Sequence, residues 1–122
     1  MLTMKRMQGE ERDALLRELG LIRPEAFIYG GYERGERIGY AVFERLEGRV
    51  TVTAAEYGTD LDLLDGLVRA GMAWMDDNGL ECLYFSDKLD REPLKKLYFI
   101  SDESNYVNSV GDFLKTCKKC RM

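Results

Sequence analysis

The stretch Glu56-Tyr-Gly-Thr-Asp-Leu-Asp-Leu-Leu-Asp-Gly-Leu67 concentrates the acid chemistry of this chain. Glu56, Asp60, Asp62 and Asp65 lie in it with no basic residue among them. It joins a predicted strand to the longest predicted helix, where free N–H groups and the helix dipole favour an anion. Carboxylates there serve other ends. Thr59-x-x-Asp62 fits a capping box. Asp60, Asp62 and Asp65 complement the positive end of the helix dipole. A bound divalent cation is the other chemistry open to them, but their spacing matches no known loop such as the EF-hand. A phosphate ligand is disfavoured: one carboxylate about 5 Å from a phosphate charge costs roughly 3 kcal/mol at an effective dielectric of 20.

The second chemical pattern is Cys117-Lys-Lys-Cys120. Two thiols at this spacing can hold zinc, but a structural site takes four ligands. Cys82 falls in a predicted buried strand, so a zinc site would need Cys117 and Cys120 from two chains. The flanking lysines lower the thiol pKa and raise reactivity, which opens a redox reading. A solvated tail without function is the third reading. The sequence contains no histidine. That removes the commonest general base, the commonest metal ligand and any Ser-His or Cys-His nucleophile.

Those residues need elements to hold them. At 122 residues the chain has the length of one domain, 1–122, able to bury a core without staples. A hydrophobic fraction of 45% against 33% charged is a soluble, globular balance. The net charge of −4, with Lys and Arg scattered, argues against nucleic acid. No apolar run approaches the ~20 residues of a membrane helix, and the N-terminus lacks a signal-peptide core. Three cysteines with no disulfide pattern fit a reducing, cytoplasmic setting.

Gly9 to Gly20 reads as an amphipathic helix with Leu15, Leu16 and Leu19 as its stripe. Strands follow at Ala26–Glu33, Arg37–Leu46 and Arg49–Glu56, joined by turns at 33–36 and 47–48. They form an antiparallel meander. The strongest periodicity runs from Asp60 to Asn78, where Leu64, Leu67, Val68, Gly71, Trp74 and Met75 recur at helical spacing. Glu81–Ser86 suits a buried strand parallel to the one before the helix. Asp90–Leu97 is a short helix with Pro93 in its first turn. Residues 100–108 are polar with no clear pattern, and Val110–Lys119 reads as a last helical turn or two. The fold class is α/β (α+β) with a mixed, mostly antiparallel sheet: helix, three-stranded meander, long helix, parallel strand, short helix. The aromatics Phe27, Tyr29, Tyr32, Tyr40 and Phe43 read as core or cross-strand pairs.

This order resembles the core of the GNAT superfamily of acetyl-CoA-dependent N-acetyltransferases. Gly30–Leu46 resembles the family's central hairpin with its "vGya" strand. Leu67–Phe85 looks like the family's helix, its "enG" ending and the next strand. Leu94-Lys-Lys-Leu-Tyr-Phe99 resembles the "YeklGF" segment. The resemblance covers roughly residues 26 to 99, with 100–122 outside it. It implies an N-terminal strand and two helices before the meander, and a closing hairpin after it. Here a single helix precedes the meander, and the C-terminal stretch is short for the hairpin.

The functional positions depart from the pattern. The family holds the cofactor pyrophosphate on a Q/R-x-x-G-x-G/A loop opening the long helix. The Q/R position falls on Thr59, beside Asp60; the first glycine falls on Asp62 and the second small residue on Leu64. The tyrosine of "YeklGF" falls on Leu94, and Tyr98 replaces the glycine. A shifted alignment makes Tyr98 the catalytic acid, with Glu56 as a family-type base. The expectation is a divergent domain with a degenerate acetyl-CoA site, no cofactor, and a non-catalytic binding or regulatory role. Its partner would be a protein or small molecule, or a second copy in a homodimer, with no nucleic acid and no membrane. The alternatives are an active acyltransferase using acetyl-CoA through an atypical loop, and a thiol or metal protein built on Cys117 and Cys120.

Overall fold

The computed structural model describes residues 2–20, 25–46 and 49–120, without the side chains of Leu46 and residues 116–120. The predicted turn at 47–48 lies outside them. Ten elements follow in chain order: β1 (Leu2–Arg6), α1 (Gly9–Leu19), β2 (Phe27–Glu33), β3 (Glu36–Leu46), β4 (Arg49–Glu56), α2 (Leu61–Asp77), β5 (Leu83–Phe85), α3 (Arg91–Lys96), β6 (Tyr106–Val107) and α4 (Val110–Cys120). One six-stranded sheet takes the strands in sequence order. Every neighbouring pair is antiparallel except β4 and β5.

The meander forms where the residues predict it. Arg34 and Gly35 both take positive φ, 55° and 81°, the backbone of a two-residue hairpin that matches the twist of its strands. Along β3, Ala41 and Phe43 face one way and Val42 the other, so each face of the sheet acquires its own core. Val42 joins Met7, Leu15, Leu16, Ala26 and Ile28 under α1. Ala41 and Phe43 join Leu64, Leu67, Val68, Met72 and Met75 of α2. Burying a side chain of this size fully is worth about 1.5–3 kcal/mol, so α2 is held mainly by its stripe. Phe27 and Phe43 stack at 4.8 Å beneath it. Gly20 ends α1 in the left-handed conformation expected of a C-cap.

Four features correct the sequence reading. The chain opens with a strand, β1, so the N-terminal strand of the family pattern is present and the order does not begin with a helix. Its burial is exposed on both faces except at Met4, so it has no apolar alternation; backbone pairing with β2 alone makes it a strand. Residues 100–122 contain β6, paired with β5, and α4, which runs helical to Cys120. Finally, β4 carries a bulge: Val42 faces Ala54 and Phe43 faces Val52, so Thr53 is the extra residue.

Candidate functional site

The acidic junction sits where β4 hands over to α2. Asp60, not Thr59, is the N-cap: its Oδ1 accepts the Leu63 N–H at 3.1 Å. The cap expected of Thr59 and Asp62 is thus displaced by one residue. The cause is the turn at Tyr57, where Asp60 N donates to Tyr57 O at 3.0 Å and sets the helix to begin at Leu61. Leu64 N then donates to Asp60 O at 3.1 Å. Of the N–H groups from Asp60 to Leu64, only those of Leu61 and Asp62 stay without a hydrogen bond among the described residues.

The side chains divide in the same way. Leu64 is buried in the core, so it turns away from the junction. Leu63 is buried too, pressed onto a pavement of paired glycines: a Cβ on Gly31 would lie 2.5 Å from Leu63 Cδ1, and one on Gly39 2.8 Å from Leu63 Cδ2. Asp65 is buried and paired with Arg69 at 2.8 Å, so its charge is answered within the helix. Glu56 Oε1 accepts the Gly58 N–H at 3.2 Å. Glu56, Asp60, Asp62 and Thr59 are all exposed. No ion pair reaches Glu56, Asp60 or Asp62 among the described residues.

Beside this junction the sheet forks. β4 and β5 pair only from Val50–Leu83 to Val52–Phe85. Ser86 N still reaches Val52 O at 3.0 Å, then the chain turns away through Leu89 N to Ser86 O at 3.1 Å. β4 continues to Glu56 on β3 alone. At the fork the bulged Thr53 has a buried Oγ1 with no hydrogen-bond partner among the described residues, a costly state for a hydroxyl. Tyr57 and Leu89 pack against the core nearby. Burial raises the Tyr57 phenol, and the carboxylates of Asp90 and Glu56 raise it further. Tyr57 therefore stays protonated through the neutral range and can donate a proton but not take one. The sequence reading passed over Tyr57; its place between Glu56 and Gly58 at the junction was the available signal.

Tyr98 lies elsewhere. It follows α3, 79% exposed, with φ at 65°, and Tyr98 N donates to Lys95 O at 3.0 Å. A glycine would adopt this left-handed conformation freely. Leu94 and Phe99 are buried. Tyr98 edges a groove of about 490 Å³ beside β6, lined also by Tyr106, Ser101, Ser104 and Phe113. Glu56 is not part of that groove.

Cys117 and Cys120 belong to the last turns of α4 rather than to a tail after it; their side chains lie outside the described residues. Cys82 is a free, half-buried thiol. Among the described residues no three His, Cys, Asp or Glu side chains converge to hold a metal ion. No helix among them is long and apolar enough to cross a membrane.

No family model and no curated protein matches the sequence. Solved structures do match the fold. An aminoglycoside acetyltransferase from an uncultured soil metagenomic sample superposes with a TM-score of 0.61 at 13% identity, over 80% of this chain and 85% of that one. A ribosomal-protein-alanine N-acetyltransferase from Brucella melitensis gives 0.60 at 12% identity, over 80% and 88%. An acetyltransferase of the GNAT family from Desulfovibrio desulfuricans gives 0.56 at 15%, over 80% and 82%. Identities this low speak to architecture alone: the chain is a divergent protein with the GNAT acetyltransferase fold.

Proposed function

We propose that this GNAT-fold chain has a degenerate acetyl-CoA site and acts as a non-catalytic binding or regulatory module. The observation that carries the reading is the start of α2. There the Asp60 carboxylate occupies the Leu63 N–H, and Glu56, Asp60 and Asp62 have no ion-pair partner among the described residues. A pyrophosphate needs those N–H groups and a positive field. Each carboxylate within about 5 Å would oppose it by roughly 3 kcal/mol before salt and relaxation reduce the figure. The residues present do not fit the cofactor.

The test is calorimetric titration of the purified protein with acetyl-CoA and with CoA. The expected result is no binding up to millimolar concentration. Micromolar binding would overturn the reading. The alternative reading is an active acyltransferase working at the fork between β4 and β5, where Glu56 and Tyr57 follow the bulge at Thr53. In that case thioester turnover is measurable, and Glu56→Gln, Tyr57→Phe or Tyr98→Phe lowers it.

A further inference from the structure

At the other end of α2 lies a cleft of about 500 Å³ lined by Arg6, Arg12, Glu25, Phe27, Arg45 and Trp74. That volume is typical of a small-molecule pocket. Among the described residues three arginines line it with one carboxylate, in a chain whose net charge is −4. Arg6 makes no ion pair among the described residues. Its guanidinium sits 4.9 Å over the Trp74 ring and 5.4 Å over the Phe27 ring. A guanidinium held by its face keeps its N–H edge for a bidentate oxyanion. Arg45, exposed at the end of β3, has no ion pair either among the described residues. Arg12 is anchored from below, donating to Ala26 O at 2.6 Å and pairing with Asp13 at 3.0 Å. Arg6 and Asp77 act in opposite directions on the Tyr29 hydroxyl, Arg6 lowering and Asp77 raising its pKa, and the two make no ion pair among the described residues. Arg6 and Arg45 are two cations lining one cleft, and an anion between them would answer both charges.

We infer that this cleft binds a small phosphate monoester, the phosphate bridging Arg6 and Arg45 above Trp74. Two uncommitted arginines match a group carrying about −1.5 to −2 charges at neutral pH better than a single carboxylate. The site stands apart from the α2 start. Fourteen residues of helix separate Trp74 from Asp60, about 20 Å along the axis, so the two ligand questions are independent.

Trp74 is the sole tryptophan of the chain, so its fluorescence reports on this cleft alone. The experiment titrates the full chain with inorganic phosphate and with glycerol phosphate. Sodium chloride and succinate at matched ionic strength are the controls. The expected result is a saturable change with both phosphates, weakened about tenfold or more in Arg45→Gln and in Arg6→Gln. Arg45 is exposed, so Arg45→Gln folds even if Arg6→Gln disturbs the aromatic stack; circular dichroism checks both. A response no larger than that to chloride would overturn the proposal, as would one equal to that with succinate. Survival of the response in Arg45→Gln would do the same.

Discussion

Replacing Asp60 by Ala tests the local structure on which the functional reading rests. Asp60 Oδ1 is the acceptor for Leu63 N at 3.1 Å, and Leu63 is buried, so no water readily replaces the carboxylate. Loss of an N-cap of this type costs about 1 kcal/mol. At roughly 2.1 cal/mol/K per residue the unfolding entropy of a chain of this length is about 0.26 kcal/mol/K, so Tm should fall by about 4 °C. Two controls bracket the result. Thr59→Ala removes an exposed side chain with no cap bond, and its effect should stay within about 0.5 kcal/mol. Asp62→Ala loses a favourable dipole interaction of about 0.3–1 kcal/mol but relieves repulsion from Glu56 and Asp60, so it too should be small. Urea unfolding, with m-values compared across the three variants, reads all of this. If Thr59→Ala cost as much as Asp60→Ala, the cap would lie where the capping-box pattern puts it, and the count of free N–H groups would be wrong.

Other expectations concern packing and pH. Gly71→Ala should destabilise by about 2 kcal/mol in the same assay. Helix propensity favours Ala by about 1 kcal/mol, but its Cβ would clash with the Phe43 ring, and Phe43 is fully buried and stacked on Phe27. Overpacking of that kind costs about 1–3 kcal/mol or more; a stabilised variant would show that the helix stands off the sheet. Burial raises the phenols of Tyr29, Tyr40 and Tyr57, and burial with the Glu11 hydrogen bond and charge pushes Tyr32 up to about 12. These groups stay protonated in the folded chain when the unfolded chain has lost its protons. Their contribution is present below pH 10 and fades as pH rises from 10 toward 12. Denaturation midpoints should therefore fall over that window, with phenolate absorbance rising late; Tyr32→Phe should remove part of the pH dependence, and an unchanged slope would contradict the assignment.

Legibility followed the strength of the local pattern. The long helix was readable because its apolar residues recur at helical spacing and, apart from the half-buried Trp74, fall on the buried face from Leu64 to Met75. The parallel β5 was readable because Leu83 and Phe85 are an apolar pair after a helix end. β6 was not: Tyr106 and Val107 sit among polar residues and become a strand only by pairing with Leu83 and Tyr84. The bulge at Thr53 has no local signature; it lets Ala54 face the α1 side after Val52 has faced α2. The acids of the junction were visible as a group, but their separate fates were not. Asp65 enters the core with Arg69, Asp60 caps, and Asp62 stays in solvent.

Glu56, Tyr98, Cys117 and Cys120 were legible as chemistry, without the distances that would make them a site. The basic cleft was not legible. Arg6, Arg12 and Arg45 are scattered along the sequence, and only the sheet order brings the end of β1, the helix α1 and the end of β3 together. The sequence alone determines the periodicities, the turns and the charge of each segment, because these depend on side chains a few residues apart. Which carboxylate caps, where the strands part and which distant cations share a cleft depend on strand pairing across the whole chain, and those the tertiary structure decides.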